Sequence, residues 1–413
     1  MGNMPSGGEF FAGQGDLPQK YFVYFKANQR GPAEKARRLG LLTIFKQALS
    51  PNHPVIAKGG PFMKQIAFFQ TDLRVGGVQK SLVNILNDID FSRCCVDVYL
   101  FDDQCFFDLP AHENLHIKYL TPPPGFFRVL YFGLTRVLLG DVTGGRRYDV
   151  AVDFNSYQNE CAAGVINANA EKRVMWIHND VEVKRKNEPK YRVLWHFFKG
   201  KLRHYDEFVA VSPGIIDGFR RVSGIQDKPI TAIPNHIDTG EIFRKAKLDV
   251  DFTVDPAKLN LCSVGRICHQ KGYDLLMGYL AQVKRSRTDF HFYLIGDGPG
   301  RAALEGQIRE LGLEGFVTLL GNQANPFCYM DKMDGFVLTS RYEGQGMVIW
   351  EAKALGLPLY ISKNLEPYNP GVTGCGDMVQ ALLAAQKPAE KVYDDLSDYN
   401  AEITRRADAV LGL

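Results

Sequence analysis

Residues 63–82 read MKQIAFFQTDLRVGGVQKSL, and this stretch decides the fold class. Ile66, Ala67, Phe68 and Phe69 form an apolar run without polar alternation, the pattern of a strand buried on both faces. Gly76 and Gly77 follow, and the residues up to Asn87 predict a loop and a helix. Strand, glycine turn and helix are the opening of a βαβ unit. The two glycines allow a ligand close to the backbone, and the amides of the helix start would point at it. An ordinary glycine-rich turn would look the same.

Working outward, the rhythm repeats. Strands are predicted at Ile66–Gln70, Val96–Phe101, Val150–Phe154, Val174–His178, Phe208–Ser212 and Ile230–Pro234. A second series follows at Leu261–Val264, Phe290–Ile295, Val317–Leu320, Gly335–Thr339 and Pro358–Ile361, after the polar stretch Thr239–Lys258. The expected class is therefore α/β, with two Rossmann-like doubly wound domains facing a central cleft, where ligands bind at the carboxyl ends of strands. The expected boundaries are a first domain at 63–240, a second at 241–388 and a charged amphipathic helix at 389–413. Residues 1–62 read as an appendage, disordered or introduced by cloning, with a basic amphipathic helix over Ala33–Leu49.

The totals narrow the function. A formal charge of +3 over 413 residues is too small to argue for nucleic acid, and none is expected as a partner. The eight cysteines form no C-x-x-C pair and no zinc-like spacing, which suggests reduced core thiols in a cytoplasmic protein. No apolar run reaches the length of a membrane span, and the first thirty residues lack a signal-peptide layout. The residues carry no signal for an oligomeric state.

Four motifs can carry chemistry. EGQGMVIWE places Glu343 and Glu351 on either side of a predicted helix start, with Gly344, Gln345, Gly346, Met347 and Val348 between them. Exposed amides at a helix start attract phosphate, and the two carboxylates can each accept sugar hydroxyls. A plain helix start with an acidic first turn is the alternative. VGRICHQKG sets Arg266 and Lys271 just beyond a strand, where two cations can clamp a diphosphate and stabilise its charge as it leaves; a basic surface loop is the alternative. IGDGPGR has the spacing G-x-G-x-G, with Pro299 inside, so it does not support dinucleotide hydride chemistry. WIHND ends a strand at His178, which reads either as structural or as a group at the cleft edge. Asp102-Asp103 has no third ligand beside it, and no metal is expected. The basic and aromatic run from Lys190 to Tyr205, and Phe126–Leu139, fit either amphipathic core helices or contact with an anionic membrane.

Taken in order, MKQIAFFQTDLRVGGVQKSL, FVAVSPGI, IPNHID, VGRICHQKG, YLIGDGPGR and SRYEGQGMVIWEAKALGLP resemble the retaining glycosyltransferases of the GT-B fold, family 4, over Met63 to about Pro388. The start is similar to bacterial enzymes of surface-polysaccharide biosynthesis (capsule and lipopolysaccharide). The resemblance implies a nucleotide diphosphate sugar held mainly by the second domain, with UDP the commoner nucleotide. It places Arg266 and Lys271 on the donor diphosphate, Glu343 on the transferred sugar and Glu351 on the ribose. The amides of Gly344 to Val348 would cradle sugar and phosphate. Gly76 and Gly77 would border the phosphate and acceptor, and His178 would sit near the reacting centre. The implied reaction retains the anomeric configuration, needs no cofactor or metal, and transfers a hexose or N-acetylhexosamine to a glycan or lipid-linked hydroxyl. It would occur at the cytoplasmic face of the cell membrane. Where many relatives have an aromatic residue this chain has Gln345, so a more polar sugar pocket is expected. The alternatives are a GT-B sugar-nucleotide epimerase or hydrolase, separable by donor turnover without acceptor, and a non-catalytic partner of another transferase.

Overall fold

The computed structural model describes residues 63–74, 76–121, 132–156 and 158–413. In the first sheet the strands are β1 (Lys64–Gln70), β2 (Cys94–Leu100), β3 (Leu115–Tyr119), β4 (Arg147–Asp153), β5 (Asn169–Ile177), β6 (Glu207–Ala210) and β7 (Ile230–Ala232). They are ordered β3-β2-β1-β4-β5-β6-β7, and each neighbouring pair is parallel. The second sheet contains β8 (Leu259–Val264), β9 (Phe290–Ile295), β10 (Val317–Gly321), β11 (Gly335–Leu338) and β12 (Leu359–Ile361) in the order β10-β9-β8-β11-β12, again parallel. Both sheets reverse their winding once, between β1 and β4 and between β8 and β11. Those two switch points are where a doubly wound fold opens a crevice for ligands. This is the GT-B arrangement of two parallel α/β layers.

The strands form where the chain can bury both faces. Every residue of β2 is buried, as are the last five of β1. Full burial of side chains such as Phe68 and Phe69 stabilises the fold by about 1.5–3 kcal/mol each. Asp97 in the middle of β2 is fully buried too, and its carboxylate pairs with Lys118 at 2.7 Å and Arg146 at 3.0 Å. Paired in this way, the charge is tolerated inside.

The helices that frame the site are α1 (Gly77–Asp88), α2 (Phe132–Leu139), α3 (Val181–Asn187), α4 (Pro189–Phe198), α5 (Thr239–Ala246), α6 (Met347–Ala354) and α7 (Ser397–Leu411). Three expectations need correction. β3 was not predicted, because LHIKY is a sheet-edge strand whose residues are only half buried or exposed. The supposed polar separator contains α5, which Asp238 caps by accepting from Glu241 N at 2.8 Å. The final helix starts at Ser397, not at 389. α7 lies against the first sheet's elements: Arg93 pairs with Asp408 at 2.8 Å, and Lys172 donates to the Val410 carbonyl at 2.7 Å. The readings of 1–62, including the helix over Ala33–Leu49, and of 126–131 lie outside the described residues.

All eight cysteines are free, and Cys94, Cys95, Cys161, Cys262 and Cys328 are buried. Among the described residues no helix is long and apolar enough to cross a membrane.

Candidate active site

The loops after β8 and β11 flank the second sheet's switch point, and they bring the predicted cation and carboxylate together. Lys271 Nζ lies 2.7 Å from Glu343 Oε1, with the two side chains 18% and 8% exposed. Gln270 braces the same loop by donating to the Tyr342 carbonyl at 3.1 Å and to Glu343 Oε2 at 3.3 Å. Gly272 is what allows Lys271 this position. Its φ is +65°, and a Cβ there would overlap the Thr339 carbonyl oxygen, so any other residue would be strained.

Glu351 sits one turn inside α6. Burial pushes its carboxyl above the usual range, opposed by the charges of Lys80 and Lys271. Lys80 belongs to α1, so a cation from the first half faces a carboxylate of the second. Burial lowers the Lys80 amine, against the raising pull of Glu351, and Lys80 also pairs with Glu241 of α5. The sequence reading stopped at Gly76 and Gly77 and missed Lys80, although its place three residues into α1 was legible. A Cβ at Gly77 would meet nothing within 4 Å, so space is open beside this turn.

Arg266 is exposed and does not join the Lys271–Glu343 pair, but its charge helps to lower the amine of Lys184 in α3, after burial. It therefore faces the first half across the crevice.

The remaining part of the acidic turn is held against the first half. Ser212 Oγ donates to the Gly344 carbonyl at 2.6 Å. Gln345 accepts from the Asn235 amide at 2.5 Å and donates to Tyr399 Oη at 2.6 Å. Gly346 N donates to Asn369 Oδ1 at 3.2 Å, and Met347 N to the Gln345 carbonyl at 3.1 Å. Two expectations change as a result. Gln345 faces the interdomain seam rather than a sugar pocket, and the amides of Gly346 and Met347 already have protein acceptors. Val348 follows in the first turn of α6. Gly344 makes the closest approach, since a Cβ there would overlap the His178 carbonyl oxygen.

His178 follows β5, buried beside Phe154 at a ring separation of 4.7 Å. Burial pushes its pKa down to about 3, opposed by a hydrogen bond with the Phe154 backbone. The imidazole is thus neutral at ordinary pH, and among the described residues its Nε2 is buried with no partner, an acceptor for a ligand hydroxyl. The unfolded chain binds a proton at this histidine below pH 6.5, whereas the folded chain does so only near pH 3. Stability should therefore fall as pH drops through that window. His178→Gln should flatten the slope by up to about 1.4 kcal/mol per pH unit in denaturant titrations. An unchanged slope would contradict this assignment.

Among the described residues the one cluster with metal-ligand chemistry is Cys95, Asp97 and His116. Lys118 and Arg146 already neutralise Asp97, so two cations stand where an ion would have to sit. Asp102 pairs with Arg74 at 2.6 Å. A cavity of about 180 Å³ lies beside the cation loop, lined by residues including Cys268, His269 and Gln307; neither Lys271 nor Glu343 reaches it.

Known proteins share both halves. A family model described as "Glycosyltransferase Family 4" matches residues 75–241, and one described as "Glycosyl transferases group 1" matches residues 258–397. The lipopolysaccharide core biosynthesis mannosyltransferase LpsB of Rhizobium meliloti is 28% identical over 45% of this chain and 52% of its own length. An N-acetylgalactosamine-N,N'-diacetylbacillosaminyl-diphospho-undecaprenol 4-alpha-N-acetylgalactosaminyltransferase of Campylobacter jejuni is 26% identical over 71% of this chain and 79% of its own. The first of these matches thus spans only about half of its relative. The structure of Anabaena Alr3699/HepE in complex with UDP and glucose superposes with a TM-score of 0.59 at 18% identity, covering 84% of this chain and 97% of that one. That likeness concerns the fold.

Proposed function

Because the chain belongs to the GT-B glycosyltransferases of family 4 and group 1, we propose that it is a retaining enzyme of lipopolysaccharide or related surface-polysaccharide biosynthesis. It moves a hexose or N-acetylhexosamine from a nucleotide diphosphate sugar, with UDP as the nucleotide, to a glycan or lipid-linked hydroxyl. It works at the cytoplasmic face, in peripheral contact with an anionic membrane.

The observation that carries this reading is the 2.7 Å Lys271–Glu343 pair at the switch point of the second sheet. A cation there can neutralise the departing diphosphate, and the adjacent carboxylate can accept hydroxyls of the sugar. Arg266, exposed on the next-but-four residue before Lys271, adds a second positive charge at the mouth. Glu351 has the burial and position to take two vicinal hydroxyls, which hydrogen-bond a carboxylate well. His178 offers Nε2 as an acceptor from the opposite half, and its low pKa keeps it from carrying a competing positive charge. Attack from the same face as the leaving group would let the diphosphate oxygen take the acceptor proton, so no dedicated protein base is required. The lysine and arginine charges suit a mechanism without a metal.

A thermal-shift series of UDP-, GDP- and ADP-sugars tests the donor, since a ligand bound only by the folded state raises its stability by about 2.7 kcal/mol at a hundredfold excess over Kd. A UDP-sugar should give the largest shift and keep it in chelator. NMR of the product should show the donor's anomeric configuration. No shift with any nucleotide sugar, or an inverted product, would overturn the corresponding part of the proposal.

A further inference from the structure

Lys80 is fixed by the elements around it. One turn of α1 is stitched to the segment that leads into α5. Ser81 Oγ donates to Asn235 Oδ1 at 2.5 Å, and Asn84 Nδ2 donates to the His236 carbonyl at 2.6 Å. Lys80, a turn before Asn84, donates to Glu241 of α5, and the two side chains are only 15% and 20% exposed. Its ammonium also lies 5.8 Å from the centroid of the Phe107 ring. Glu241 does not depend on this lysine for a counter-charge, because Lys245 of the same helix pairs with it at 2.6 Å. A cation shielded between helices beyond what its ion pair requires has a use elsewhere.

The field of Lys80 reaches the donor site. α5 packs against α6, the helix that carries Glu351. Among the described residues the Glu351 carboxylate makes no hydrogen bond or ion pair. The charges that act on it are those of Lys80 and then of Lys271, and Lys271 is engaged by Glu343 at 2.7 Å. A shielded carboxylate with both oxygens free accepts hydroxyls well, provided that it stays ionised, and a nearby cation favours that form.

We propose that Lys80 is a positioning residue for the nucleotide: from the first half of the molecule it holds Glu351, on the second, ready for the ribose hydroxyls. It acts through the carboxylate rather than on the sugar directly. Ribose recognition then depends on α1, α5 and α6 meeting, so the second half does not complete the nucleotide site by itself. The inference rests on the transferase reading, in which Glu351 takes the ribose.

Titration calorimetry of the full chain with UDP, GDP and ADP, each against its 2′,3′-dideoxy counterpart, tests it. The wild type should bind its preferred nucleotide at least about tenfold tighter than the dideoxy form, which leaves the carboxylate without its hydroxyls. Lys80→Met should shrink this ratio to about threefold or less, with the dideoxy affinity close to that of the wild type. Lys80→Arg should keep most of the ratio. Lys245→Met, which removes the other cation from Glu241, should keep all of it. If Lys80→Met does not fold, Lys80→Met/Glu241→Gln carries the same comparison with no carboxylate stranded. A lysine that only braced α1 against α5 would weaken both nucleotides alike, so an unchanged ratio overturns the inference and leaves the transferase reading standing. Equal wild-type affinity for the two forms also overturns it, by removing the ribose from Glu351. A wild type that binds none of the three nucleotides overturns the transferase reading and this inference with it.

Discussion

Lys271→Ala is expected to slow transfer by about 10²–10³-fold, the scale seen when a preorganised group that stabilises developing charge is removed. The lysine pairs with Glu343 at 2.7 Å, and both side chains are largely shielded from water. Removing it withdraws the cation from the diphosphate and leaves a buried carboxylate without its counter-charge. That second effect can cost about 3–5 kcal/mol of stability, so kcat and thermal unfolding must be read together. Glu343→Gln separates the two, because it preserves shape while removing the charge. It should keep the fold and still lose most of the transfer rate. If Lys271→Ala remains folded and transfers sugar at the original rate, the proposed site is wrong.

The second large effect is expected at Gly344. A methyl group there would overlap the His178 carbonyl oxygen and crowd the Asn179 Cα, both backbone atoms on the other side of the seam. Neither can swing away as a side-chain tip would, so the two halves must separate or the turn must shift. Overpacking of this kind costs about 1–3 kcal/mol. The Ser212–Gly344 bond and the Asn235–Gln345 bond are made in the same few residues and should loosen with it. Gly344→Ala should lower kcat/KM by tenfold or more, since about 1.4 kcal/mol of lost alignment suffices. Gly306→Ala, in a helix where the added Cβ meets nothing within 4 Å, should be neutral or slightly stabilising. Equal behaviour of the two variants would show that the contact with His178 does not matter.

Much of the architecture was legible before any coordinates. Parallel strands buried on both faces must be apolar along their length, so β1, β8, β9 and β11 announce themselves, as does the Val174–Ile177 end of β5, whereas its exposed or half-buried start at Asn169–Arg173 does not. An edge strand is under no such demand, which is why LHIKY escaped. The helix at Thr239–Ala246 was hidden by its polar residues; its Asp238 cap was a local signal that went unread. Glycines beside cations and carboxylates at strand ends were equally legible, because a sharp turn and a charge leave marks in residue type.

The sequence by itself determined two doubly wound parallel sheets and the identity of the charged groups at their carboxyl ends, since local periodicity and turn chemistry depend on near neighbours. Only the tertiary structure decided which groups meet. Lys271 and Glu343 are 72 residues apart and touch because β8 and β11 are hydrogen-bonded neighbours at the switch point. Lys80 acts on Glu351 because α1 and α6 face each other across the crevice. Gln345 turned from an expected sugar ligand into an interdomain strut because Asn235 and Tyr399 reach it first. Such pairings are set by the packing of distant elements, to which no local pattern of residues is bound.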